Sequence, residues 1–231
     1  MRVSGLSMGL GAMALAACQG EAPPGPPATA DTTAAASTEV MGPEVRILAF
    51  GDSLFAGYGL GDAKLAYPAR LEAALRAAGR NVRISNAGVS GDTTAAGRQR
   101  LAFTLDSQPT QPDLVLLELG GNDLLRGLPP EQTRANLVAM LEELKKRDIP
   151  VVLMSLQAPP NYGATWQAEF DAIYPALARE YSAALVPFVT EAVFANPKML
   201  QADRVHPTAQ GVNALVDATV DAVAGALPAA D

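Results

Sequence analysis

The sequence predicts an α/β protein, a three-layer α/β/α sandwich on a five-stranded, mostly parallel sheet. Three observations point there. Short apolar runs recur from Val45 onward, and stretches with helical spacing stand between them. One run, 113–119, is apolar almost throughout and bounded by Pro112 and Gly120, as a strand covered on both faces requires.

The elements follow in order. VRILAF (45–50) is the first strand, ended by Gly51. A helix over 66–79 sets Leu71, Leu75 and Ala78 at helical spacing and stops at Gly79, a residue suited to a C-cap. VRISNA (82–87) is the second strand and DLVLLEL (113–119) the third. The helix over 129–148 carries Leu137, Met140, Leu141 and Leu144 on one stripe. Glu131 near its start and Lys145, Lys146 and Arg147 near its end complement the helix dipole. IPVVLMSL (149–156) is the fourth strand, 166–181 reads as one helix, AALVPF (183–188) is the fifth strand, and a closing helix spans 208–226.

Residues 1–44 stand apart from this pattern. MRVSGLSMGLGAMALAAC has one early positive charge, Arg2, then an uncharged apolar stretch too short to span a bilayer. That is the layout of a secretory signal over 1–18. Its end, Leu15-Ala16-Ala17-Cys18, resembles the bacterial lipobox, which implies lipidation of Cys18, the only cysteine. A signal with a chance cysteine and a short buried helix are the plainer alternatives. With Gln19 following, the resemblance implies a periplasm-facing, lipid-anchored protein of the bacterial cell envelope, at the outer membrane of a Gram-negative host. Residues 19–44, rich in Pro, Ala and Thr, read as a disordered tether. The remaining 45–231 form the single expected domain.

Composition narrows the function. Of 231 residues, 49% are hydrophobic and 18% charged, with a net charge of −7. No Lys/Arg run exceeds the three residues 145–147, so nucleic acid is not an expected partner. One cysteine cannot close an internal disulfide, and one histidine cannot build a histidine-ligated metal site. No metal or cofactor is expected, and the chain is expected to act as a monomer on a small molecule.

In a parallel sheet, ligands sit beyond the carboxyl ends of the strands. Ser53 follows the first strand, Gly88 and Gly91 the second, Asn122 the third, and His206 precedes the closing helix. A serine hydroxyl is a weak nucleophile and needs a general base, and His206 is the only imidazole available. Asp203, three residues earlier in a loop that Pro207 keeps from becoming helix, can face Nδ1 and leave Nε2 for Ser53. The Ser53 N–H, the Gly91 N–H and the Asn122 amide would form an oxyanion hole.

Taken singly, each feature has a duller reading. The Gly/Asn/Asp-rich segments could be ordinary turns, Asp203 could cap a short turn, and a lone histidine could be structural. Asp52 is read as supporting the turn beside Ser53. Ser90 fails the G-x-S-x-G elbow because position 92 is Asp. Tyr162 and Trp166 could line a pocket or simply pack.

Jointly, GDSL at 51–54, SGDT at 90–93, GGND at 120–123 and DRVH at 203–206 resemble, in order, the blocks of the SGNH (GDSL) hydrolase family, over about 45–226. ELGGNDLLRGLPPEQT, PPNYG and IYPALAREY resemble segments of the bacterial thioesterase I/lysophospholipase L1 and arylesterase group. The resemblance implies a flavodoxin-like fold and a serine esterase acting on carboxylic esters and thioesters: aryl esters, acyl thioesters and lysophospholipids. It implies the triad Ser53, Asp203 and His206, with Ser53, Gly91 and Asn122 holding the oxyanion. It further implies a substrate loop of Leu124, Leu125, Arg126, Gly127, Leu128 and Pro129, with Tyr162 beside it. Two other readings are carried: an O-acetylesterase of carbohydrate or cell wall with the same fold, and a non-catalytic envelope binding lipoprotein.

Overall fold

The computed structural model describes residues 41–229. The signal, Cys18 and most of the tether expected from the sequence lie outside the described residues. Five strands form one sheet: β1 (Met41–Gly51), β2 (Arg80–Gly88), β3 (Leu114–Glu118), β4 (Val151–Ser155) and β5 (Ala184–Pro187). Their order is β2-β1-β3-β4-β5, and every pairing is parallel. This is the sandwich expected from the alternating pattern. β3 lies at the centre and is buried at all five residues, which explains why its run is apolar but for Glu118.

The helices are α1 (Ser53–Ala56), α2 (Tyr67–Ala77), α3 (Thr94–Asp106), α4 (Gly121–Leu125), α5 (Pro130–Lys146), α6 (Ala164–Asp171), α7 (Ile173–Tyr181), α8 (Glu191–Phe194) and α9 (Ala209–Gly225). α2 packs on α9, while α3 packs on α5 and α5 on α7, and the sheet is covered on both sides. The core runs through Phe50, Leu116, Leu117, Leu153 and Val186 in the sheet and Leu71, Leu141 and Leu215 in the helices. Among the described residues no helix is long and apolar enough to cross a membrane.

The structure departs from the sequence reading at the short helices α4 and α8, which were not expected, and at three larger places. β1 begins at Met41, inside the stretch read as tether: Met41 pairs with Arg80, and the register shifts before Val45. The single helix expected over 166–181 is two, divided at Ala172. Pro175 explains the break, because its ring would clash with the carbonyl four residues back, at Asp171, and its nitrogen has no hydrogen to donate. It is tolerated in the first turn of a new helix. α3 was not expected at all, since its buried face consists of Thr94, Gly97, Leu101 and Leu105 rather than a stripe of large apolar residues.

Candidate active site

Parallel pairing brings the strand carboxyl ends to one edge. Gly51 of β1 stands level with Gly88 of β2 and Glu118 of β3, so the segments after these residues meet. After Gly51 the chain turns at once into α1. Asp52 caps that helix, its Oδ1 accepting the Leu54 N–H at 3.0 Å, and Ser53 is the first helical residue. Four residues later Gly57 ends it in the left-handed conformation. Ser53 therefore sits on a short, capped turn and is buried except toward the edge.

The histidine arrives from a different direction. The chain before α9 forms a tight loop, closed by an antiparallel bridge of Leu200 with Pro207 and by the Gln201 N–H to the His206 carbonyl at 2.8 Å. Inside it Asp203 accepts the Val205 and His206 N–H groups on Oδ1, each at 3.0 Å. Its Oδ2 lies 2.7 Å from His206 Nδ1. His206 Nε2 lies 2.9 Å from Ser53 Oγ. Ser53, His206 and Asp203 thus stand in one hydrogen-bonded line. The Val205 N–H first, then the imidazole and the His206 N–H, lower the Asp203 carboxyl to about 2. Tyr58 covers the imidazole, its ring centroid 4.5 Å away.

The expected oxyanion donors converge on the same point. Gly91 has φ +86°, in the left-handed region where a side chain would strain the backbone. Among the described residues neither the Ser53 nor the Gly91 N–H has a protein acceptor. The Asn122 amide is held by two oxygens, donating from Nδ2 to Asp92 O and to Asp52 Oδ2 at 3.0 Å each.

Three residues outside the expected set hold this arrangement. Arg100 lies over the Phe50 ring, donating from Nε to Asp92 at 2.6 Å and from Nη2 to the Gly51 carbonyl at 2.9 Å. It ties the Gly91 loop to the end of β1. Asp123 is buried and accepts the Thr94 N–H at 2.8 Å and the Thr94 and Thr133 hydroxyls, anchoring the start of α3. Glu118 is wholly buried beneath Asp52. Burial raises its carboxyl well above the usual range, and the neighbouring Asp52 charge adds to the effect. Burial also raises Asp52, against the Leu54 N–H and other donors. A charged residue in an otherwise apolar central strand was the available signal for Glu118.

Beside Ser53 opens a cavity of about 500 Å³, lined among others by Leu124, Leu125, Leu156, Pro159, Val189, Phe194 and Val205. Asp52, Ser53 and Asn122 are among its polar lining residues, with Gln157, Thr190 and Arg204. Of the expected substrate loop, only Leu124 and Leu125 line it. Arg126 donates instead to the Gly91 carbonyl at 2.9 Å, and Gly127, Leu128 and Pro129 are not among the lining residues. Tyr162 does not line it either: its hydroxyl donates to the Leu124 carbonyl at 2.7 Å, and its ring stacks on Trp166. Among the described residues no group of three or more His, Cys, Asp or Glu side chains is placed to hold a metal ion.

Comparison with known proteins bears on what this edge does. The GDSL-like Lipase/Acylhydrolase family matches residues 49–214. An arylesterase of Vibrio mimicus is 42% identical over 162 residues, 70% of this chain and 80% of that protein. The thioesterase 1/protease 1/lysophospholipase L1 of Escherichia coli (strain K12) is 41% identical over 161 residues, 70% of this chain and 74% of that protein. Among solved structures, AlinE4, described as an SGNH-hydrolase family esterase, is 63% identical with a TM-score of 0.68, over 82% of this chain and 100% of that one.

Proposed function

The chain belongs to the GDSL-like lipase/acylhydrolase family and is a carboxylic ester hydrolase, and we propose that it works as a serine esterase through an acyl-enzyme on Ser53. The observation that carries the reading is the line from Ser53 Oγ through His206 to Asp203 at 2.9 and 2.7 Å, at the mouth of an apolar cavity.

His206 Nε2 takes the Ser53 proton as Oγ attacks the acyl carbonyl. Asp203, ionised and bonded to Nδ1, fixes the tautomer and stabilises the imidazolium. The Ser53 and Gly91 N–H groups and the Asn122 amide take the oxyanion. The amide already spends its hydrogens on Asp52 and Asp92 oxygens, so it shares one of them as the charge develops. His206 then protonates the leaving alcohol or thiol, and afterwards activates water to release the acid.

The substrates are aryl esters, acyl thioesters and lysophospholipids, whose acyl chain occupies the cavity along Leu124, Leu125 and Leu156. A cavity of about 500 Å³ is far larger than an acetyl group needs, which favours acyl esters over acetylated sugars. The chain acts as a monomer, anchored to the cell envelope through lipidated Cys18. Loss of labelled fatty acid from the protein in Cys18→Ala tests the anchor. Hydrolysis of p-nitrophenyl esters from acetate to laurate, beside Ser53→Ala, tests the chemistry. Turnover is expected to rise beyond acetate and to vanish in the variant. Equal rates in both folded proteins would defeat the proposal.

A further inference from the structure

One buried acid has no task in the reaction just described. Glu118 ends β3 in register with Gly51, directly under the Ser53 turn, and its side chain is fully buried. A Cβ at Gly51 would lie 2.9 Å from Glu118 Oε2, so only glycine lets the two strands bring the carboxyl this close. Oε2 accepts the Asp52 N–H at 3.3 Å, and Oε1 is buried with no donor among the described residues. The Asp52 carboxyl shares the same buried space, its own backbone N–H bonded to Glu118, and its charge acts on the Glu118 carboxyl.

Two adjoining buried carboxyls cannot both stay ionised without a cation between them. None stands there. Arg100, from α3, is committed to Asp92 and the Gly51 carbonyl. His206 acts on Asp52, and Tyr174 from α7, whose hydroxyl donates to the Leu119 carbonyl, feels both carboxyls together with Asp123 from α4 and Asp171 from α6. The donor count decides which acid keeps the proton. Asp52 receives the Leu54 N–H and the Asn122 amide, with the Ser53 hydroxyl a further 3.4 Å contact, whereas Glu118 receives only the Asp52 N–H.

We propose that Glu118 is a positioning residue, held neutral, whose carboxyl proton is donated to Asp52 so that one carboxylate rather than two stands beneath Ser53 and Asn122. The inference rests on the reading of Ser53 as nucleophile and adds how its surroundings are set. A neutral Glu118 orients Asp52, and Asp52 in turn caps α1 and aims the Asn122 amide. A second charge would oppose an oxyanion forming beside that amide.

Infrared spectroscopy of the full chain at neutral pH tests this without turnover. A protonated-carboxyl C=O band is expected that shifts in heavy water, moves with isotope-labelled glutamate but not labelled aspartate, and disappears in Glu118→Gln. Ser53→Ala should keep the band, which separates this inference from the nucleophile assignment. Gln mimics the neutral acid, accepting from the Asp52 N–H and donating to its carboxylate. It should therefore recover most of the kcat/KM that Glu118→Ala loses, a loss of about tenfold or more. The stability Glu118 contributes is full below the ordinary glutamate range and declines as pH rises from there to the raised value it has in the fold, a decline Gln lacks, so the Tm gap between Glu118→Gln and wild type should widen over that interval. Absence of the glutamate band from folded wild-type protein, or a band unchanged in Glu118→Gln, overturns the proposal.

Discussion

Acids stand on two sides of Ser53, and their surroundings give them opposite chemistry. Asp203 is on the open side, its side chain 40% exposed, with two backbone N–H groups and an imidazole directed at its oxygens. Its carboxyl falls to about 2. Asp52 and Glu118 are on the buried side, 2% and 0% exposed, and burial pushes both upward. A carboxyl group's role here is decided by how many donors reach it and how much water remains. The open acid serves as a permanent anion for the relay, while the buried pair governs how the nucleophile's turn is held.

The comparison breaks first at the relay. His206→Ala, read as single-turnover acylation, should lose about 10⁴-fold or more, because no other imidazole exists in the chain. A loss below about tenfold would remove the relay from the account. Asp203→Asn comes next, with an expected fall of about 10²–10⁴-fold in kcat. That fall should be similar across the neutral range, since the carboxylate is ionised down to about 2 and cannot supply the acid limb of the pH profile. The same shift fixes a stability effect. A carboxyl lowered from 3.8 to about 2 contributes stability that is present above the ordinary aspartate range and fades as pH falls through that interval. Acid unfolding of wild type and Asp203→Asn should therefore converge toward pH 2. Curves that stay apart would mean the carboxyl is not held low.

Asn122→Ala sharpens the other side. Removing this amide should cost about 10²–10³-fold in kcat with little change in KM, the mark of a donor used in the transition state. It also leaves Asp52 without one of its donors. An equal loss in KM alone would make Asn122 a ground-state contact. The smallest effect is expected from the cavity: Leu156→Phe should lower kcat/KM for laurate by about tenfold while sparing acetate. A uniform loss for both esters would place the acyl chain elsewhere.

Much of this was legible beforehand, and the residues show why. Apolar runs revealed the central strands most plainly, since a strand such as β3, buried on both faces, has no polar side to obscure it, whereas the edge strands β2 and β5 are largely exposed. Ser53, Gly91, Asn122 and His206 could be brought together on paper because a parallel sheet sends every strand's carboxyl end to one edge. Hidden features had other physical origins. α3 packs through Thr94, Gly97, Leu101 and Leu105, a face too small and polar to register as a stripe. Pro175 divides a helix whose apolar spacing runs on unbroken. Tyr162 is not among the residues lining the cavity; its hydroxyl goes to the carbonyl of Leu124, which is, a matter of three-dimensional placement rather than of pattern. Glu118 was counted within an apolar strand, where one charge among leucines is easily absorbed into the period.

The most direct test of the central claim is to trap the nucleophile. Full-length protein treated with an alkyl fluorophosphonate should gain one phosphonyl group on the peptide that carries Ser53, losing turnover in step. His206→Ala should label far more slowly, and Ser53→Ala not at all. Labelling at another residue, or full turnover by a protein modified on Ser53, would contradict the account.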